Sequence, residues 1–151
     1  MLDDQYKTGQ SLDASWKVRV DGRMEIAQRI EKVQCGFVDY AHNAVSMESL
    51  LLTLRDYKPK RLVCVFGCGG NRARDRRYSM GEIGGKLADL SIITADNSRF
   101  EKVGDILADI KVGLAKTDGK YVEIPDRREA IEYSLVACGR WRYHRDHRKR
   151  A

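Results

Sequence analysis

Four short groups of residues in this chain are suited to polar chemistry, and they come in a fixed order. Gly22-Arg23-Met24-Glu25 is first, followed by Asp39-Tyr40-Ala41-His42, Gly67-Cys68-Gly69-Gly70 and Asp96-Asn97-Ser98-Arg99. The last three each stand directly after an apolar run, and open α/β sheets hold ligands just beyond the carboxyl ends of their strands. A carboxylate such as Asp39 suits a pair of adjacent hydroxyls. Glycines at 67, 69 and 70 permit close approach of the backbone to a ligand, or simply a tight turn. The stretch from Asn71 to Arg77 carries Arg72, Arg74, Arg76 and Arg77. It reads as a solvated loop or as an anion site, where guanidinium forks grip carboxylate or phosphate. Nucleic acid is a third reading, although no aromatic platform is interleaved with the charges. Asp39 to His42 also fits a strand end followed by a helix cap, and Asp96 to Arg99 a plain βα loop with an Asx turn. No Gly-x-x-x-x-Gly-Lys-Ser/Thr run occurs, so these residues include no P-loop.

The elements that must position these groups alternate. Residues 1–16 are polar without a clear period and read as a poorly ordered or helical lead-in. Val33–Val38 is an apolar run and reads as a strand. Ala44–Tyr57 has Val45, Met47, Leu50, Leu51 and Leu54 at helical spacing, with Asn43 as N-cap and Pro59 as stop. Arg61–Phe66 reads as a buried strand, Met80–Leu90 as a helix despite glycines at 84 and 85, and Ser91–Ala95 as a strand. Lys102–Ala115 reads as a helix, Tyr121–Ile124 as a short strand after the Asp118-Gly119 turn, and Asp126 caps a last helix to about Val136. Strands alternating with helices imply an α/β fold, a Rossmann-like and mainly parallel sheet with right-handed crossovers.

Length and composition fit one globular domain. The chain has 151 residues, 42% of them apolar, enough for a sizeable core. No apolar stretch is long enough to span a membrane and no signal peptide is evident, so a cytoplasmic location is expected. Of the net charge of +6, residues 140–151 carry +5 through six Lys/Arg and one Asp, so basicity belongs to the tail. The four cysteines suggest no disulfide framework; Cys35 and Cys64 lie in apolar runs as buried free thiols. Cys64 and Cys68 with His144 and His147 have the wrong spacing for a zinc finger, and no metal site is assigned.

The four groups together, in this order and spacing over about Val18–Val136, resemble the C-terminal domain of Mur ligases, and most closely the branch that adds the third amino acid of the peptidoglycan stem peptide. The resemblance implies an ATP-dependent ligase joining meso-diaminopimelate to UDP-MurNAc-L-Ala-D-Glu, with magnesium bridging the ATP phosphates. It implies that Arg23 reaches those phosphates from an interdomain hinge, that Asp39 binds the ATP ribose, and that His42 lies in the nucleotide environment. It implies that Arg72 helps hold the incoming diamino acid, and that Asn97 and Arg99 recognise its distal carboxylate. Lysine-adding members generally lack this arginine, so Arg99 favours diaminopimelate. Two departures stand out: Ser98 replaces a family proline, and Gly70-Asn71-Arg72-Ala73 stands where the family has Gly-Asp-Arg-Asp. The Asp126-Arg127-Arg128-Glu129-Ala130-Ile131 helix resembles a family element of packing and capping.

The family continues after Val136 into a strand and a Gly-Lys-Gly-His-Glu turn; this chain runs instead into the basic tail. One choice of codons for residues 138–151, read one base later, encodes Val-Glu-Asp-Gly-Asp-Ile-Ile-Val-Ile-Thr-Gly-Lys-Gly, the expected strand and turn. The tail is thus expected to be a frameshift product, or else a true basic tail for anionic partners. Its charges cannot enter a core unpaired, so a frayed tail, a sheet lacking its last strand and an exposed apolar edge are expected. The expected organisation is a lead-in over 1–17, the family domain over 18–137 and the aberrant tail over 138–151. ATP and magnesium would be held mainly by the family's other domains, and the isolated chain is expected to be inactive as a ligase. Two other function classes stay open: a standalone nucleotide-binding Rossmann-like module, and a basic nucleic-acid-binding protein with salt-dependent affinity.

Overall fold

The computed structural model describes residues 25–30 and 34–138. They divide between two compact units, Met1–Tyr40 and Ala41–Ala151. The expectations for the lead-in, for Arg23 and for residues 139–151 lie outside the described residues.

In the first unit, β1 (Glu25–Ile30) and β2 (Gln34–Val38) form an antiparallel pair. Register runs from Glu25 opposite Val38 to Ile30 opposite Gln34, with a shift between Ile26 and Gln28. The apolar run ending at Val38 is a strand as its composition predicts, but its described partner is an antiparallel neighbour rather than the parallel sheet.

The second unit is built around three parallel strands in the order β3 (Val63–Phe66), β4 (Leu90–Ile93) and β5 (Tyr121–Glu123). Val63 pairs with Leu90 and Phe66 with Ile93; Ser91 pairs with Tyr121. The crossovers carry α2 (Arg74–Leu87) and α3 (Val103–Leu114), preceded by α1 (Ala44–Asp56) and followed by α4 (Arg127–Ala137). The alternation of side chains along a strand sorts the core into two layers. Phe66 and Ile93 pack with Met47, Leu51, Met80, Ile106, Leu107 and Ile110, under α1, α2 and α3. Leu90 and Ile92 face the other way, onto Ala130 of α4, with Val63, Val65 and Val122 beside them. The central strand β4 is buried throughout.

Caps and ion pairs set where the helices begin and end. Asn43 accepts a hydrogen bond from the Ser46 amide at 2.9 Å and starts α1; Asp126 does the same for α4 through Glu129 at 2.7 Å. Lys58, in the left-handed region at φ 50°, turns the chain out of α1 before Pro59. Arg55 pairs with Asp89 at 3.0 Å, and Asp89 also accepts from the Leu62 amide. This fastens the end of α1 to the start of β3 and β4.

Helix α2 begins at Arg74, six residues before the Met80 start that the apolar pattern suggests. Its N-cap, Ala73, makes no side-chain capping bond, so the usual signal for a helix start is missing. Glycines instead set how closely α2 meets α3. A methyl group at Gly113 would lie 1.9 Å from the Tyr78 carbonyl oxygen, and one at Gly81 2.2 Å from that of Ile110. Gly113→Ala gains about 1 kcal/mol of helix propensity but must push two backbones apart. A net loss of about 1–3 kcal/mol is expected from overpacking, read by urea unfolding. An unchanged or raised midpoint would show that α2 and α3 do not meet here.

Candidate functional site

The segments leaving β3 and β4 interlock at the carboxyl end of the sheet. The Thr94 amide donates to the Phe66 carbonyl at 3.0 Å, and the Gly70 amide to the Asn97 carbonyl at 2.8 Å. Gly70 can be nothing else: a methyl group there would lie 1.8 Å from the Ser98 carbonyl oxygen. The Arg99 guanidinium returns to donate to the Gly70 carbonyl. The Phe100 amide donates to Asn71 Oδ1 at 3.3 Å, while the Asn71 amide donates to the Glu101 carboxylate. On the far side, Arg127 donates to the Ala95 carbonyl at 3.2 Å. Asn71 and Arg99 both adopt left-handed backbone, at φ 52° and 50°. Asparagine tolerates that region well. For arginine it is uncommon, and it persists because contacts on both loops hold it.

Beneath the turn lies Arg77, with 1% of its side chain exposed. Its Nη1 and Nη2 each donate to one oxygen of Glu101 at 2.8 Å, a bidentate fork. Nη1 also donates to Asp109 Oδ2 of α3 at 2.9 Å, and Nη2 to the Gly69 carbonyl at 3.4 Å. The Arg77 hydrogen bond, aided by the Asn71 amide, holds the Glu101 carboxyl down at about 2. The same pairing keeps the guanidinium charged. The cationic run is therefore not one solvated loop: its last arginine is internal, and its anions are this protein's own carboxylates. Sequence reading took Arg77 only as part of the cationic run and missed its partners Glu101 and Asp109. A charged residue in the otherwise apolar face of α3, at Asp109, is the one signal that could have pointed to them.

Of the residues singled out from sequence, Arg72, Asn97 and Arg99 come together. A methyl group at Gly69 would lie 3.5 Å from Arg99 Nη1 and 4.0 Å from Arg72 Cγ, so both arginines flank that turn, with the Asn97 carbonyl at 3.6 Å. All three side chains reach solvent. Asn71 keeps an acceptor where the family pattern has an acid, since its Oδ1 takes the Phe100 amide. Asp39 is the last residue but one of the first unit, and His42 is the second residue of the other, just ahead of the α1 cap. Arg23 lies outside the described residues.

Neither Cys64 nor Cys68 is set up as a nucleophile. Cys68 is buried with its Sγ 3.7 Å from Met80 Sδ. Burial pushes its thiol up to about 11 and that of Cys64 to about 12, far from the thiolate needed for attack or metal binding. A cleft of about 910 Å³ is at the opposite end of the strands, beside Lys60, Arg61, Asp89, Lys116 and Lys120. The carboxyl ends of α2 and α3 lie there, where lysines complement the helix dipoles; the cleft shares no residue with the site.

Known proteins resemble this chain closely. The family model described as "Mur ligase, glutamate ligase domain" matches residues 22–140. The UDP-N-acetylmuramoyl-L-alanyl-D-glutamate–2,6-diaminopimelate ligase of Syntrophomonas wolfei is 45% identical over 123 residues, 78% of this chain and 24% of that protein. The ligase of the same name from Synechococcus elongatus is 44% identical over 121 residues, 80% and 24% respectively. A solved structure of a ligase with this name superposes with a TM-score of 0.68 at 36% identity, covering 77% of this chain and 23% of the other. The murein peptide ligase of Psychrobacter arcticus, at 15% identity and a TM-score of 0.54, shares the fold. The chain thus spans about a quarter of the length of its relatives. No helix among the described residues is long and apolar enough to cross a membrane.

The Glu101 contact carries a pH signature. Its carboxyl is held at about 2 in the folded chain and returns to about 4.3 on unfolding. The unfolded state therefore binds the extra proton between these values. The contribution is complete above about pH 4.3 and is lost as pH falls through about 2. Denaturant melts at pH 7, 4 and 2.5 should show stability falling with acid, and Glu101→Gln should flatten that slope. An equal slope in the variant would contradict the assignment.

Proposed function

The chain belongs to the Mur ligase family, whose glutamate ligase domain it carries, and on that premise we propose that it is the amino-acid-presenting domain of a ligase adding meso-diaminopimelate to UDP-MurNAc-L-Ala-D-Glu. The observation that carries this reading is the convergence of Arg72, Asn97 and Arg99 on the Gly69 turn. Two arginines flanking one turn, with the exposed residue Asn97 beside them, suit a carboxylate. That is the group by which diaminopimelate differs from lysine. The names of the relatives support the same substrate pair.

In the proposed reaction ATP phosphorylates the D-glutamate carboxylate of the UDP-linked dipeptide. The amino group of diaminopimelate attacks this acyl phosphate, the amide bond forms, and phosphate leaves with the C–O bond electrons. Arg72, Asn97 and Arg99 hold the distal carboxylate, so that the amino group at the other end is oriented before attack and binding energy is converted into orientation. Asp39 would bind the ATP ribose, His42 would line the nucleotide environment, and Arg23 would reach the phosphates. Magnesium supplies charge neutralisation on the ATP phosphates in such chemistry. Among the described residues no three His, Cys, Asp or Glu side chains converge. The 18–137 segment is proposed as the functional unit. With no P-loop in its 151 residues, the chain by itself is expected to form no ADP from ATP.

Titration of the chain with meso-diaminopimelate, followed by amide NMR, tests the reading. Signals of residues 69–72 and 97–99 should shift. L-Lysine should bind at least about tenfold more weakly, since a charged hydrogen bond is worth about 1.5–3 kcal/mol. Arg99→Ala should reduce meso-diaminopimelate to the level of lysine. Equal affinities in the unsubstituted chain would overturn the assignment.

A further inference from the structure

We infer that Arg77 is the positioning residue of the amino-acid site: it binds no substrate, but locks the Gly69 turn to the 97–101 loop so that Arg72, Asn97 and Arg99 form one preorganised carboxylate receptor. The identity of the ligand rests on the ligase reading; the locking does not.

With 1% of its side chain exposed, Arg77 cannot reach a ligand. Its four hydrogen bonds instead join three segments of chain: the turn after β3 at Gly69, the loop after β4 at Glu101, and helix α3 at Asp109. Glu101 passes the constraint on. The same oxygen that accepts from Arg77 Nη2 accepts the amide of Asn71, the residue before Arg72. The side chain of Asn71 in turn takes the amide of Phe100, the residue after Arg99. Asn97 is fixed through its carbonyl on the Gly70 amide. Each of the three receptor residues is thus bonded itself, or is next to a residue that is bonded, in a network ending on one buried guanidinium. The fork is required: an ammonium group is a compact point charge and cannot present two parallel donors to one carboxylate. An amide at position 101 cannot complete the parallel fork either, because it sets an NH2 donor, in place of the second oxygen, against one of the guanidinium nitrogens.

The test compares Arg77→Lys and Glu101→Gln with the unsubstituted chain, using Arg55→Lys as a control. Arg55 pairs with Asp89 at the other end of the sheet. Two quantities are read in each chain: hydrogen exchange of the Gly70, Asn71 and Phe100 amides, and affinity for meso-diaminopimelate. In both site variants these amides should exchange about tenfold faster and the affinity should fall by about tenfold or more, the scale of one lost charged hydrogen bond. The control should lower the melting temperature and leave both readouts unchanged. If Arg77→Lys fails to fold, Glu101→Gln, altered at a partly exposed residue, decides alone. The inference is overturned if the site variants lose thermal stability as the control does while exchange and affinity stay as in the unsubstituted chain. If the unsubstituted chain does not bind meso-diaminopimelate, the ligase reading of the site fails, and the exchange rates still decide whether Arg77 locks the loops.

Discussion

A guanidinium group with 1% of its side chain exposed must be neutralised inside the protein, and most of the second unit is arranged so that Arg77 is. Removing one partner from a buried ion pair leaves an uncompensated charge, at a cost of about 3–5 kcal/mol. That penalty links elements far apart in sequence. Helix α2 must begin early enough to place Arg77 beneath the turn, α3 must face it with Asp109, and the loop after β4 must return to present Glu101. A second cation at the rim, Arg74, is 3.8 Å from Asp109 and 70% exposed; such a solvated pair adds little. The internal fork, and not the abundance of arginine on the surface, organises this end of the sheet.

Rigidity and availability are divided between neighbouring residues. The glycine turn is held by backbone contacts that admit no side chain at Gly70, while Arg72 and Asn97 next to it remain in solvent. Arg99 combines both roles: one guanidinium nitrogen is bonded to the Gly70 carbonyl, while its backbone adopts a conformation costing about 1–3 kcal/mol. A guanidinium held in this way would lose less entropy on meeting an anion than a loose one. The close α2–α3 contact at Gly81 and Gly113 lies directly below, so the loops stand on helices that cannot slide.

Much of this was legible in the sequence. The apolar runs read as Arg61–Phe66 and Ser91–Ala95 placed the glycine turn and the Asp96–Arg99 group at strand ends. The caps at Asn43 and Asp126 were readable from residue type. Other features were not. Strand β1 has apolar residues at 26, 27 and 30, without the strict alternation that marks a half-buried strand, and its register shifts midway. The start of α2 is hidden because Ala73 cannot cap it and four arginines around it look like a solvated loop. The partners of Arg77 lie 24 and 32 residues further on, so no local pattern could show that this arginine, unlike its neighbours, is internal. A family resemblance supplied the roles proposed for Arg72, Asn97 and Arg99, while physical pattern supplied only their location.

The chain belongs to the Mur ligase family, and the proposal drawn from that membership is that this end of the sheet receives a carboxylate of an amino acid. The most direct measurement is a crystal structure of the chain grown with meso-diaminopimelate. The account predicts one ligand carboxylate between Arg72 and Arg99, within hydrogen-bond distance of the Asn97 side chain, and the Arg77–Glu101 fork intact beneath it. A ligand seated in the basic cleft at the opposite end of the strands, with the Gly69 turn empty, would contradict it.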